Sequence, residues 1–240
     1  MAGARVLDTA EIVVGDSGLD NDTFNVICRA RLSSPGVDRK VTAAIARFGS
    51  PPRAFSWWSG PSDRPAGLRD LLVQAGLQHT ESELMMSTDL EELEDRAAEG
   101  LVIRTAKRES DLTDFAGVIV DGAPEAGMVM DFYRSVARTL LAPDCPQRFY
   151  IGYRDGQPVA TAELTLAASV GGIYGVVTRE AWRRRGFGTA MMRHSMNEAR
   201  AAGVTVGILQ ATAAGAGLYQ RLGFEPYATV QEFKPPARRP

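Results

Sequence analysis

The run Tyr174-Gly175-Val176-Val177-Thr178-Arg179-Glu180-Ala181-Trp182-Arg183-Arg184-Arg185-Gly186-Phe187-Gly188-Thr189 decides how this chain is read. An apolar strand gives way to three consecutive arginines, and Gly186 and Gly188 then flank Phe187 where a helix begins. The first turn of a helix presents N–H groups with no helical acceptor and the positive end of its dipole, so it suits an anion. Glycine removes the Cβ atoms that would hold a phosphate off the backbone, while guanidinium groups add charge and paired donors. The chemistry expected is pyrophosphate binding. A solvated basic helix start, or an Arg-Gly patch touching RNA, would use the same residues. Two other phosphate loops are excluded: the segment has no Lys for a Gly-Lys-Ser/Thr ending, and a dinucleotide fingerprint would want Gly or Ala at position 191, which is Met191.

Working outward, the second half reads as a mixed α/β unit. Leu101 to Thr105 is a short strand, Ser110 to Val120 an amphipathic helix with Ser110 as its cap, and Ala126 to Leu141 a second helix ending before Pro143. Arg148 to Tyr153 and Val159 to Leu166, joined through Asp155-Gly156, form a hairpin, and Val170 to Val177 is the next strand. The helix Gly188 to Ala202 stops at Gly203, the strand Val204 to Leu209 follows, a short helix Gly217 to Leu222 stops at Gly223, and Tyr227 to Phe233 is the last strand.

Arg183-x-x-Gly186-x-Gly188 after Gly175-Val176-Val177-Thr178 resembles the acyl-CoA pyrophosphate loop of the GNAT N-acetyltransferase superfamily, and Leu218-Tyr219-x-x-Leu222-Gly223-Phe224 resembles that family's C-terminal tyrosine helix and Gly-Phe turn. The resemblance covers about residues 101 to 234. It implies a mixed, mostly antiparallel central sheet flanked by helices, acetyl-CoA as co-substrate, and no metal. It further implies that Val176, Val177 and Thr178 pair with the pantetheine arm like an added strand, and that Arg183, Arg184, Arg185, Gly186, Phe187, Gly188 and Thr189 wrap the pyrophosphate. Tyr219 would protonate the departing thiolate, the alternative being a core aromatic on a short helix. Many members carry Asn before the tyrosine helix; here the position is Thr212, so the loop is expected to bind mainly by backbone. The family often places a general base on a central strand. Glu163 is the one acidic residue within the predicted central strands, and an ordinary exposed strand residue is the competing reading.

The implied activity is transfer of acetyl to a primary amine, of a small molecule in preference to a protein tail, by direct attack in a ternary complex. A non-catalytic acyl-CoA sensor and a protein N-acetyltransferase are the alternatives. With 240 residues, 45% hydrophobic and 23% charged, the chain can bury a real core. A net charge of -2 removes the global basic field of a nucleic-acid binder, and no window approaches the roughly 18 apolar residues of a membrane helix. Met1 to Thr9 lacks a secretory apolar stretch, so the cytoplasm is the expected location, as a monomer or homodimer. Cys28, Cys145, His79 and His194 lie too far apart for a disulfide framework or a metal-ligand spacing.

The acidic, Gly-ended connector Asp89 to Gly100 places a boundary near residue 98. The expected organisation is a degenerate GNAT-like half at 1–98, a catalytic domain at 99–234 and a frayed Pro/Arg tail at 235–240. The first half carries a buried-strand candidate at Phe55-Ser56-Trp57-Trp58 and a helix from Leu68 to Gln74 before Gly76-Leu77, an echo of the Tyr219 helix and Gly223-Phe224. Its loop Ser33-Ser34-Pro35-Gly36-Val37-Asp38 lacks the Arg-x-x-Gly-x-Gly pattern: Pro35 removes a donor and Asp38 adds negative charge, so this half is expected to bind no CoA. Met85-Met86 and Met191-Met192 read as core filling, and Trp57 and Trp58 point to opposite faces of a strand.

Overall fold

A computed structural model describes residues 4–33, 36–90 and 98–237. Most of the acidic connector, Ser34-Pro35 and the last three residues of the tail fall outside them. The chain packs as two compact units, 1–85 with 227–240 and 86–226. They differ in extent from the expected halves, since the last strand belongs mainly to the first unit.

In the first unit, β1 (Arg5–Asp8), β2 (Val13–Asp16) and β3 (Val26–Cys28) form an antiparallel meander. β4 (Ser56–Ser59) lies parallel to β3, with Ile27 opposite Trp57, and the crossover between them carries helix α1 (Val37–Ala46). Helix α2 (Leu68–Gln74) follows, and β5 (Gln78–Asp89) starts here. The core gathers Ile27, Phe48, Phe55, Trp57, Leu68 and Leu72 with Phe233. As alternation on a strand requires, Trp57 is wholly buried while Trp58 is half-buried.

The second unit has the strands β6 (Val102–Thr105), β7 (Gln147–Arg154), β8 (Gln157–Ala167), β9 (Val170–Thr178) and β10 (Val206–Ala211), in the order β10-β9-β8-β7-β6. All these neighbours are antiparallel except β9 and β10. The β7–β8 hairpin turns through Asp155 and Gly156, both at positive φ. Helices α3 (Glu109–Ile119) and α4 (Ala126–Leu140) cover one face, where Leu112, Phe115, Ala137, Phe149 and Ile151 form a core. Helix α5 (Phe187–Ala201) covers the other face and buries Met191 and Met192 completely. The cap of α3 is Arg108, not Ser110: the carboxylate of Asp111 accepts from the Arg108 N–H at 3.0 Å, an acid reaching back to the free first-turn donors. β10 lies two residues later than expected because Val204 and Thr205 are taken by the helix-to-strand turn, where Val204 N–H bonds to Ala199 O at 3.2 Å.

The expected mixed, mostly antiparallel sheet flanked by helices is what the chain forms. The first strands β1 to β5 and the chain from β7 onward repeat one plan, with β6, α3 and α4 added before the second copy: three antiparallel strands, a crossover helix, a parallel fourth strand, a short helix (α6, Ala216–Gln220, in the second copy), a fifth strand. Each crossover helix starts from a left-handed glycine, Gly36 (φ 87°) and Gly186 (φ 79°), and each short helix is followed by another, Gly76 and Gly223. The fifth strands are exchanged. Next to β4 stands β11 (Glu225–Lys234), with Phe233 opposite Trp57, and next to β10 stands β5.

Candidate functional site

The site begins with a fault in β9. Thr161 of β8 pairs with Val177 and Glu163 with Tyr174, so Gly175 and Val176 together face the single residue Ala162. Such a bulge needs a residue outside the extended region; Gly175 takes φ 55°, and its carbonyl accepts the buried hydroxyl of Thr161 at 2.9 Å. The extra residue resets the alternation, placing Tyr174 and Val177 on the same face although they are three apart. On its other edge β9 pairs with β10 only over Val170 to Gly172. The parallel strands then part, so the β9 backbone from Tyr174 to Thr178 lies beyond the β10 ladder. Strand alternation predicts none of this, although a glycine inside an apolar strand, as Gly175 is, signals it.

Beyond Thr178 a single 3-10 turn, Glu180–Trp182, leads into the arginines. Arg183 donates through Nε to Thr178 O at 3.2 Å and has no other partner among the described residues. Arg184 is exposed at φ 63°, a conformation that costs a non-glycine residue about 1–3 kcal/mol. Arg185 lies 4.8 Å over the Trp182 ring and donates to Ala181 O, and Trp182 in turn stacks on the buried Phe187. Thus Arg185 braces the loop, while the terminal nitrogens of Arg183 and the side chain of Arg184 take no hydrogen bond or ion pair from the described residues. The first helical bond of α5 runs from Ala190 N–H to Gly186 O, and no side chain caps the helix. The N–H groups of Phe187, Gly188 and Thr189 therefore have no helical acceptor. Among the described residues, a Cβ on Gly186 would meet nothing nearer than Ala98 Cβ at 4.0 Å.

Gly188 is where the pieces converge. A Cβ there would lie 3.7 Å from Thr178 Oγ1 of β9 and 3.7 Å from Leu218 Cδ2 of α6, so the end of β9, the start of α5 and the tyrosine helix meet at one residue. Tyr219 is half-buried, its ring 6.3 Å from Phe224 at 69°, and its carbonyl accepts from both Leu222 and Phe224. Those bonds lock the helix to the Gly223-Phe224 turn. Thr212 uses its hydroxyl to accept the Gly215 N–H at 3.3 Å, so it closes the turn that starts α6.

Glu163 lies on the α3/α4 face of β8, beside the bulge: a Cβ on Gly175 would sit 3.8 Å from Glu163 Cβ and 3.3 Å from Phe115. It is half-buried, not the exposed strand residue of the competing reading. Burial raises its carboxyl pKa above the ordinary value, and hydrogen bonds from Gln147 and Thr165 offset only part of that rise. Tyr133 of α4 is close enough to feel the Glu163 charge; burial, then that charge, push its phenol well above the ordinary range, so it stays neutral. The sequence reading missed Thr161, Trp182, Gln147 and the clip of Arg179 to Asp121 at 2.9 Å, none of which has a local motif. His194 packs edge-on against Tyr150 at 4.7 Å, a structural place. Among the described residues no group of His, Cys, Asp and Glu is arranged to hold a metal, and no helix is long and apolar enough to cross a membrane.

The family model for acetyltransferases of the GNAT family matches residues 122–224, the span that holds the arginine loop, Gly188 and Tyr219. Solved structures extend the likeness in fold to nearly the whole chain. A GCN5-related N-acetyltransferase from Kribbella flavida is 21% identical, with a TM-score of 0.71 over 98% of this chain and 91% of that one. Another from Sphaerobacter thermophilus is 17% identical, with a TM-score of 0.65 over 95% and 81%. A tandem GNAT protein from the clavulanic acid biosynthesis pathway is 12% identical, with a TM-score of 0.60 over 93% and 77%. The comparison with curated proteins finds no match.

Proposed function

We propose that the second unit transfers the acetyl group of acetyl-CoA to a primary amine of a small molecule, by direct attack in a ternary complex. The observation that carries this reading is the convergence at Gly188 of the β9 edge, the uncapped first turn of α5 and the Tyr219 helix. In this reading the backbone of Val176, Val177 and Thr178 pairs with the pantetheine arm as an added strand would. The N–H groups of Phe187, Gly188 and Thr189, with Arg183 and Arg184, hold the pyrophosphate. The amine nitrogen attacks the thioester carbon, the new C–N bond forms and the C–S bond breaks. Glu163 takes the amine proton, the Tyr219 hydroxyl gives its proton to the thiolate, and solvent returns the proton from one to the other. Neither cysteine lies in the loop or the tyrosine helix, which favours direct transfer over an acetyl-enzyme.

The first unit repeats the topology without the Arg-x-x-Gly-x-Gly loop, so it binds no CoA in this reading, and calorimetry should return one CoA per chain. The test of function is CoA release from acetyl-CoA against an amine panel, together with the intact mass of the enzyme. Amine-dependent thiol release with no acetylated protein is the expected result. Binding of acetyl-CoA without transfer to any amine or peptide would favour a sensor, and transfer to peptides alone would move the acceptor to proteins.

Two substitutions test the loop. Gly188→Val sets two γ-carbons against Thr178 and Leu218 where the three elements meet; CoA affinity should fall at least tenfold, with a lowered melting temperature as those contacts give way. Gly186→Ala forces a side chain into the left-handed region and should cost about 1–2 kcal/mol of stability in urea unfolding. If Gly188→Val binds CoA as wild type does, the pyrophosphate lies elsewhere.

A further inference from the structure

Glu163 is held by one oxygen. Gln147 of β7 and Thr165 of β8 are direct register partners, and both address the same atom: Gln147 Nε2 donates to Glu163 Oε1 at 2.7 Å and Thr165 Oγ1 donates to it at 3.1 Å. A carboxylate offers about four lone-pair sites over two oxygens, and two donors fill those of Oε1. Oε2 accepts no hydrogen bond from any described residue. From this we propose that Gln147, aided by Thr165, is the positioning residue for the base: the pair occupies Oε1, fixes the carboxylate plane, and leaves Oε2 as the oxygen that takes the proton of the attacking amine. The proposal rests on the reading of Glu163 as base.

The surroundings give the clamp a second effect. From α3 the groups nearest are Phe115 and Ile119, both apolar and packed at Gly175, while Asp114 of the same helix is engaged by the Tyr153 hydroxyl at 2.7 Å. From α4 comes the neutral phenol of Tyr133, and from β9 the register partner Tyr174. No Lys, Arg or His among the described residues stabilises the carboxylate, so only the Gln147 and Thr165 bonds oppose the desolvation that favours its acid form. A base must be ionised to work. Removing a donor therefore raises its pKa, and the acid limb of the pH profile moves to higher pH.

Gln147→Leu in the full chain is expected to move the acid limb of kcat/KM for the amine up by about one to two pH units, as the loss of a hydrogen bond to a charged group implies. The KM for acetyl-CoA should stay as it is, and much of the rate should return at high pH. Thr165→Val, nearly isosteric, should move the limb the same way by less, and Thr165→Ser should restore it. If Gln147→Leu fails to fold, Thr165→Val carries the test alone. Carboxyl-carbon NMR of Glu163 across pH reads the clamp without turnover. An unmoved NMR titration in a folded Gln147→Leu or Thr165→Val variant overturns the clamp. A moved titration with an unmoved acid limb also overturns the proposal, because Glu163 is then not the base. Wild-type rates in Glu163→Gln would remove the base reading itself and leave acetyl transfer standing.

Discussion

Tyr219→Phe is expected to bind CoA as the wild type does and to transfer the acetyl group about 100- to 10,000-fold more slowly in a single turnover. Only an oxygen is removed. The ring keeps its edge contact with Phe224, and the main-chain bonds from Leu222 and Phe224 to the Tyr219 carbonyl do not involve the side chain. The hydroxyl suits the task because a phenol, with an ordinary pKa near 10, is still protonated at neutral pH, while the thiol it must regenerate ionises near 8.5. Rapid-quench measurement at saturating acetyl-CoA isolates the chemical step from product release. A single-turnover rate equal to wild type would reduce Tyr219 to a packing residue and leave protonation to solvent.

How much of this was legible in the sequence depends on the range over which each feature is decided. The α5 start was legible because its determinants are local: Gly186 takes a left-handed φ as helix cap, and the arginines stand in the segment that leads to it. Helix α2 was read at its exact bounds, Leu68–Gln74, since its hydrophobic spacing and Gly76 are also local. The bulge was half legible. Gly175 stands in plain view, yet its consequence depends on the register with Thr161, 14 residues away along the hairpin. Strands β1 to β3, of three or four residues each, carry too short a pattern to announce themselves, and only their packing around Trp57 defines them. For Glu163 the strand alternation showed a polar row, Thr161, Glu163 and Thr165; that α3 and α4 would cover this row is a tertiary fact. Gln147 had no signal at all, because its meaning lies in being opposite Thr165. The exchange of fifth strands was invisible for the same reason: a strand's own residues do not say which neighbour it will join.

That exchange governs the largest expected effect on folding. A fragment of residues 99–240, cut at the acidic connector, is expected to aggregate instead of folding. It would keep β11 but lose β4, the strand against which β11 pairs, so Phe233, 2% exposed in the whole chain, would lose the core of Trp57, Phe55 and Leu68 that covers it. Burying side chains of this kind is worth about 1.5–3 kcal/mol each, against a total stability of roughly 5–15 kcal/mol for a domain. The same cut would remove Met86–Asp89 and Leu90 from the second unit, and with them the wholly buried Met86 and the 2.7 Å bond from Leu90 N–H to Thr205 O. A fragment of residues 86–226 keeps all of the second unit and should be the more soluble of the two, so comparing them separates the effect of the cut from that of size. Size-exclusion chromatography and binding of a hydrophobic dye read the outcome. A monomeric 99–240 fragment with cooperative unfolding and full acetyl transfer would show that the first unit is an appendage and that β11 needs no partner from it.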